Sequence, residues 1–284
     1  MSLLVAAVPI LFSLKYTSTI SSRIGYLAMQ LYSHLRRTTT CFAGVGLLVA
    51  ASLTPGLAFA QTEARVFDSG YTIVDDGVWS FYSQHGGSAT FGQPISREFT
   101  LMGAPVQLFQ NAALQVQPDG SVQVMQLTDP GLLPYTHLNG LTVPAADPAV
   151  AFVTPSPDQP NYTARQQVFA QSSVPESWNG KAVHFWSTYT TMGGPDVWGL
   201  PTSTPSIDPN NPHFVYQRFQ NGILLYDSNA GTTQALPLGE YLKEILSGQN
   251  LPADLASQAA SSPLLRAGGL TSTDLTDAFV PDAA

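Results

Sequence analysis

The sequence predicts an α+β protein built from two homologous helix–turn–β-hairpin units, with a proline-rich connection between them and a C-terminal helical appendage. Two observations predict it. First, W-x2-Y-x2-H-G-G-x3-F-G-x-P-x-S runs from Trp79 to Ser96, and W-x2-Y-x2-M-G-G-x3-W-G-x-P-x-S runs from Trp186 to Ser203, each matched pair 107 positions apart. Second, Gln107-Leu-Phe-Gln-Asn-Ala-Ala-Leu is matched by Gln217-Arg-Phe-Gln-Asn-Gly-Ile-Leu at an offset of 110, so the second copy carries three extra residues between its blocks. A unit this small cannot bury its own apolar face, so the copies must pack on each other or on the segment between them.

Each element has a local reason. Residues 61–70 read as an extended lead-in. Val78, Phe81 and Tyr82 fall at helical spacing, and Asp75-Asp76 sit where acids favour a helix start, which predicts a helix from Asp75 to Gln84. Gly86-Gly87 ends it. The matched helix is expected from about Lys181 to Thr190, ending at Gly193-Gly194. Phe91-Gly-Gln-Pro94 and Trp198-Gly-Leu-Pro201 read as tight turns that each bury an aromatic ring. Hairpins follow, Val106–Gln110 with Ala113–Gln117 and Phe214–Gln220 with Ile223–Asp227. The Asn221-Gly222 pair is a strong turn signal because both residues tolerate positive φ.

Between the copies the chain is rich in proline, and 147–159 reads as an extended linker loop. Residues 162–171 suit a short helix. Residues 238–247 form an amphipathic helix stopped by Gly248, and 251–265 suggest another. From Gly268 onward the composition is that of a frayed tail. The domain reading is therefore 61–127 for the first unit, 128–180 for the connection, 181–237 for the second unit, 238–267 for C-terminal helices and 268–284 for a disordered tail.

The first 60 residues hold Lys15, Arg23, Arg36 and Arg37 and no acid, and an apolar run ends in Ala58-Phe59-Ala60. This is the pattern of a secretory signal peptide over 1–60, with Met29 as an alternative start that gives it ordinary length. Its loss leaves seven basic against 19 acidic side chains, a net of about −12, and no cysteine. Disulfides and thiolate metal sites are then excluded, and the charge disfavours nucleic acid or anionic lipid as partners. A membrane is expected only through an uncleaved N-terminal segment.

The tract Gly-Gly-x3-Phe-Gly-x-Pro-x-Ser followed by Val-Gln-x-Phe-Gln-Asn-x-x-Leu resembles the LGFP-type repeat of bacterial envelope proteins. Trp198-Gly-Leu-Pro201 and Gln217–Gly222 are the closer match, and the first copy lacks the leading Leu. The resemblance covers roughly 75–127 and 181–235. It implies secretion, association with the cell envelope, and a partner that is cell-wall glycan or an envelope protein.

Catalytic constellations are sparse. His85, His137, His184 and His213 form no H-x-x-x-H or H-E-x-x-H motif, and G-x-S-x-G, phosphate loops, dinucleotide fingerprints and EF-hand loops do not occur. The reading assigns no catalytic residue, metal or cofactor. Trp79, Phe91, Phe109, Trp186, Trp198 and Phe219 recur in register and are expected to form the core of each unit. The ligand-binding candidates are Tyr82, His85, Gln107, Tyr189, Gln217 and Asn221. Strand alternation is taken to put Phe109 and Phe219 on the core face and the glutamines outside. The leading function is a secreted, non-catalytic, envelope-associated binding or structural module. Alternatives are a hydrolase of envelope polymer, marked by acids or histidines converging in one cleft with at least one perturbed pKa, and a protein-interaction subunit, marked by an exposed apolar patch on the 238–246 helix.

Overall fold

The computed structural model describes residues 65–129, 132, 136–138, 140–248, 253, 256–257 and 272–282, and these mix helices with antiparallel sheet. The leader read over 1–60 lies outside them. So does the helix read over 251–265, except at 253, 256 and 257, which are helical.

The first half opens with α1 (Asp76–Gln84) and α2 (Ser88–Phe91). A four-stranded meander follows: β1 (Phe99–Leu101), β2 (Ala104–Leu108), β3 (Ala113–Val116) and β4 (Val122–Val124). Asp75 caps α1 by accepting from the Val78 N–H at 2.8 Å, and Val78 and Tyr82, one turn apart, take the buried face. The second half repeats the order with α5 (Phe185–Thr191), α6 (Gly194–Trp198) and the meander β9 (Ser206–Ile207), β10 (Phe214–Arg218), β11 (Ile223–Asp227) and β12 (Thr232–Ala235). Phe185 and Tyr189 are the buried pair of α5.

The connection is more ordered than its prolines suggest. It holds the hairpin β5 (His137–Leu138) and β6 (Leu141–Thr142), then α3 (Pro148–Val153), α4 (Tyr162–Ser173), and a second hairpin, β7 (Ser177–Trp178) and β8 (Lys181–Ala182). Two expectations are corrected here. The 147–159 stretch is not all extended: Asp147 caps α3 by accepting from the Ala149 N–H at 2.8 Å, and Pro148 occupies the first turn, where a missing N–H costs nothing. The helix expected from Lys181 starts only at Phe185, because Asn179-Gly180 folds 177–182 into a hairpin with φ of 48° and 77° at its two turn residues. Glu176 reaches over to the late helix start and accepts from the Ser187 N–H at 3.0 Å.

The halves share their cores. One apolar cluster joins Val106 and Leu108 of the first sheet to Tyr216, Ile223 and Leu225 of the second; another joins Phe91, Phe109 and Leu114 to Tyr189, Phe219 and Leu224. The trailing segments cross over. After the first sheet, the Thr128 hydroxyl meets the Phe219 and Gln220 carbonyls at 2.9 and 2.6 Å. After the second sheet, the Glu240 N–H donates to the Gln110 carbonyl at 3.1 Å. Buried Arg218 ties the connection down by donating to the carbonyls of Pro144 and Thr128.

Helix α7 (Leu238–Ser247) places Leu238, Tyr241, Leu242, Ile245 and Leu246 inside, at helical spacing, and Gly248 closes it with φ of 64°. Its apolar face is therefore core, and the patch expected on the 238–246 helix is absent. The tail read as disordered is corrected over its described part: α8 (Ser272–Ala278) packs against β1, and Ala278 is buried. Polar bonds hold the stretch after it. Tyr71 Oη donates to the Phe279 carbonyl at 2.8 Å, Lys243 Nζ donates to Tyr71 Oη at 3.2 Å, and Arg97 pairs with Asp282 at 2.6 Å. The tail is short, but its main chain finds donors already in place.

The crossing of α7 depends on Gly239. A Cβ there would collide with the Phe109 carbonyl oxygen and lie 2.8 Å from that of Ala112. Gly239→Ala is expected to destabilise the protein by about 1–3 kcal/mol, the cost of forcing packed backbone apart. Urea unfolding measures it; unchanged stability would mean that α7 does not seat there.

Candidate functional site

The repeated motif is a bonding scheme, and its polar groups face inward. Tyr82 Oη donates to the Gly92 carbonyl at 3.2 Å and Tyr189 Oη to that of Gly199 at 2.9 Å. Gln107 Nε2 donates to the carbonyls of Thr72 (2.9 Å) and Ser96 (3.0 Å); Gln217 Nε2 donates to those of Ser173 (2.8 Å) and Ser203 (3.0 Å). The Ser96 and Ser203 hydroxyls accept from the Leu108 and Arg218 N–H groups. Asn111 Nδ2 donates to Thr90 O and Asn221 Nδ2 to Val197 O, anchoring each hairpin turn to its short helix.

The glycine of the turn is required on two counts. Gly92 and Gly199 have φ of 75° and 67°, and a Cβ would lie 2.6 Å from the Gln110 Cβ or 2.7 Å from the Gln220 Cβ. Those glutamines close over the turn, accepting from the Gln93 and Leu200 N–H groups at 2.9 and 2.8 Å.

The structure places the candidates accordingly. Gln107 and Gln217 are 2% and 0% exposed, which corrects the expectation that they face outward. The physical reason is period two: residues 107 and 109 share a face, as do 217 and 219, so each glutamine goes inward with the buried phenylalanine. Tyr82 and Tyr189 are buried, with desolvation holding both phenol pKa values above the ordinary range. Asn221 is half-buried and engaged. His85 stacks on Phe81 with centroids 4.1 Å apart, and its Nδ1 donates to the Phe81 carbonyl at 2.8 Å. These six side chains do not converge on one cavity. Phe91, Phe109, Trp198 and Phe219 lie in the core, while Trp79 and Trp186 are only half-buried against it, beside the inward pairs of α1 and α5.

Two clefts lie at corresponding places in the two halves. Each is bounded by the carbonyl-bearing segment that the buried glutamine grips and by the chain just after G-x-P-x-S. The first, about 580 Å³, is charged: Asp75, Asp76, Arg97, Glu98 and Asp282 line it with Thr72 and Val74. Most of these charges are engaged. Asp75 caps α1, Asp76 pairs with Arg65 at 2.6 Å, and Asp282 pairs with Arg97. Partial desolvation at the cleft, and then the Asp75 carboxylate, raise the pKa of the otherwise exposed Glu98 above the ordinary carboxyl range.

The second cleft, about 380 Å³, has no charged residue in its lining. Thr204 and Pro205 stand where the first has Arg97 and Glu98, and Ser173 where it has Thr72. Helices α3 and α4 and the β7 hairpin build its wall and bring in Val153, Phe169 and Trp178. The Trp178 indole N–H and the Ser173 and Thr204 hydroxyls have no hydrogen-bond partner among the described residues. Phe152 and Val168 beside it are 90% and 67% exposed. The sequence reading missed this groove because its aromatic residues lie outside the repeat; Asn179-Gly180 was the available signal, since it turns Trp178 onto a hairpin. Among the described residues no group of three or more His, Cys, Asp or Glu is placed to hold a metal ion, and no helix is long and apolar enough to cross a membrane. Compared with family models, curated proteins and solved structures, the chain matches none.

Two outcomes follow. Gln217→Leu leaves the Ser173 and Ser203 carbonyls without their donor and is expected to destabilise the fold by about 1–3 kcal/mol in chemical unfolding. For Glu98, a raised folded-state pKa means its contribution is full below the unfolded carboxyl value, about 4.3, and is lost as pH rises through the folded value. Glu98→Gln should therefore raise the melting temperature near neutral pH, and the gap should close in acid; a variant that melts lower at neutral pH would contradict this.

Proposed function

We propose that the protein is a secreted, non-catalytic binding module of the bacterial envelope, built from two copies of one LGFP-type unit, that contacts cell-wall glycan. The carrying observation is the use of the motif's polar atoms. The tyrosine, glutamine, serine and asparagine positions make corresponding internal bonds in both halves. This supports reading the motif as scaffold, with contact made by what differs between the copies. The repeat register, the leader-like first 60 residues and the acidic composition support the envelope setting. The first cleft does gather acids, and the Glu98 pKa is raised, which is the marker of the hydrolase alternative; Asp75, Asp76 and Asp282 are engaged in a cap and ion pairs, which favours binding.

A second reading, a protein-interaction subunit, draws on the exposed apolar side chains Phe152, Val153 and Val168 of α3 and α4. One experiment separates the two. The purified protein is incubated with insoluble cell wall and, separately, with a detergent extract of the same envelope. Retention on the wall, competed by soluble glycan, is expected; no retention on the wall with recovery of one defined protein would overturn the glycan reading in favour of the second.

A further inference from the structure

We infer that the uncharged cleft between α3, α4, the β7 hairpin and residues 203–205 is the ligand site, and that it takes a neutral, hydroxyl-rich glycan segment with Trp178 and Phe169 as its stacking surfaces. The inference rests on the binding reading above and locates it.

The contrast between the two clefts carries it. They occupy the same place relative to the motif, so the scaffold alone does not decide their chemistry. In a chain of formal net charge −8, the first collects five ionisable side chains and the second none. Removal of charge at both 204 and 205, together with the insertion of β7 and β8 that supplies Trp178, makes the second wall apolar and aromatic. An apolar wall alone would suit a hydrocarbon. Trp178, Ser173 and Thr204 are in this lining too, and their indole N–H and hydroxyls have no hydrogen-bond partner among the described residues. Left facing an apolar ligand, each would lose its hydrogen bonds to water without replacement. A sugar ring meets both demands: its C–H face lies on an aromatic ring, and its hydroxyls act as donors and acceptors at the rim. An anionic polymer finds no cation in the lining and is repelled by the chain's overall charge.

The groove is also held rigidly where contact would occur. Ser173 and Ser203 are clamped from below by the Gln217 amide, at 2.8 and 3.0 Å, so the two walls are fixed relative to each other before any ligand arrives. Helix α4, by contrast, buries only Ala170.

The test uses the full chain labelled with ¹⁵N, following the Trp178 indole N–H signal, which is assigned by its loss in Trp178→Phe. The probes are a neutral N-acetylhexosamine oligomer, a neutral hexose oligomer, a polyuronic acid oligomer and a proline-rich peptide. The expected result is a saturable shift of the Trp178 signal with a neutral oligomer and none with the polyuronate. Affinity should fall about tenfold or more in Trp178→Ala and in Phe169→Ala, the loss typical of one aromatic anchor, while Trp79→Phe binds as the parent. Melting temperatures of the variants are measured alongside, and Phe169→Tyr, which keeps the ring face, should retain binding even if Phe169→Ala folds poorly. A Trp178 signal that no glycan moves, or that only the peptide moves, overturns the inference. Undiminished retention of Trp178→Ala on insoluble wall also overturns it, while leaving the wall-binding reading standing; loss of wall retention by the parent protein overturns that reading instead.

Discussion

A carboxamide buried inside a sheet loses the water that would serve its polar atoms, and it is costly unless the protein supplies partners. Gln107 and Gln217 are in this position. Each answers the constraint through its Nε2, donating to two backbone carbonyls from separate segments, one ahead of the helix and one at the serine that ends G-x-P-x-S, while the Gln217 Oε1 is buried without a hydrogen-bond partner among the described residues. The amide therefore fixes three pieces of chain at one point. Around it, the serine hydroxyl takes the next strand N–H, the tyrosine hydroxyl takes the glycine carbonyl, and the tyrosine ring lies on the phenylalanine two residues after the glutamine, with centroids 5.2 and 5.1 Å apart. Glycine at 92 and 199 leaves room for the second glutamine to close over the turn. The two N–H groups of one buried amide set where the neighbouring motif residues go.

The halves are not separate lobes. The segment leaving the first sheet bonds to the end of β10, and the segment leaving the second sheet bonds to the end of β2, with Gly239 allowing backbone to approach backbone. This exchange buries the apolar face that neither half could cover alone, and α7 seals it with a stripe of side chains each contributing about 1.5–3 kcal/mol on burial. Differences between the halves then accumulate at the surface. Arg218 stands where the first half has Leu108, and holds the connection through the Thr128 and Pro144 carbonyls. The connection so held is the segment that builds α3, α4 and the walls of the uncharged groove.

Much of this architecture is legible in the residues. Asp75 with Val78 and Tyr82 marks α1, and the 238–247 apolar spacing with Gly248 marks α7 at the bounds observed. Asn111 and Asn221 mark the hairpin turns. The glutamines were less legible because a polar residue in a strand is usually outward; yet period two puts Gln107 on the face of Phe109, and what the residues do not show is the pair of carbonyls that makes an inward amide tolerable. The tail at 272–282 has an unremarkable composition, and its docking depends on Tyr71, Arg97 and Lys243, all remote in sequence. The groove was hidden for the same reason: Phe169, Trp178 and Thr204 come together only through the fold, and none lies at a repeated position that would draw attention to it.

The motif glutamines act as internal braces that hold the two cleft walls in place. Exchange of their side-chain Nε2 protons with D₂O tests this role most directly. The Gln107 and Gln217 amide protons should persist far longer than those of exposed glutamines, since both hydrogens are held on buried carbonyls. Exchange of these two side chains as fast as that of the exposed glutamines would contradict the account.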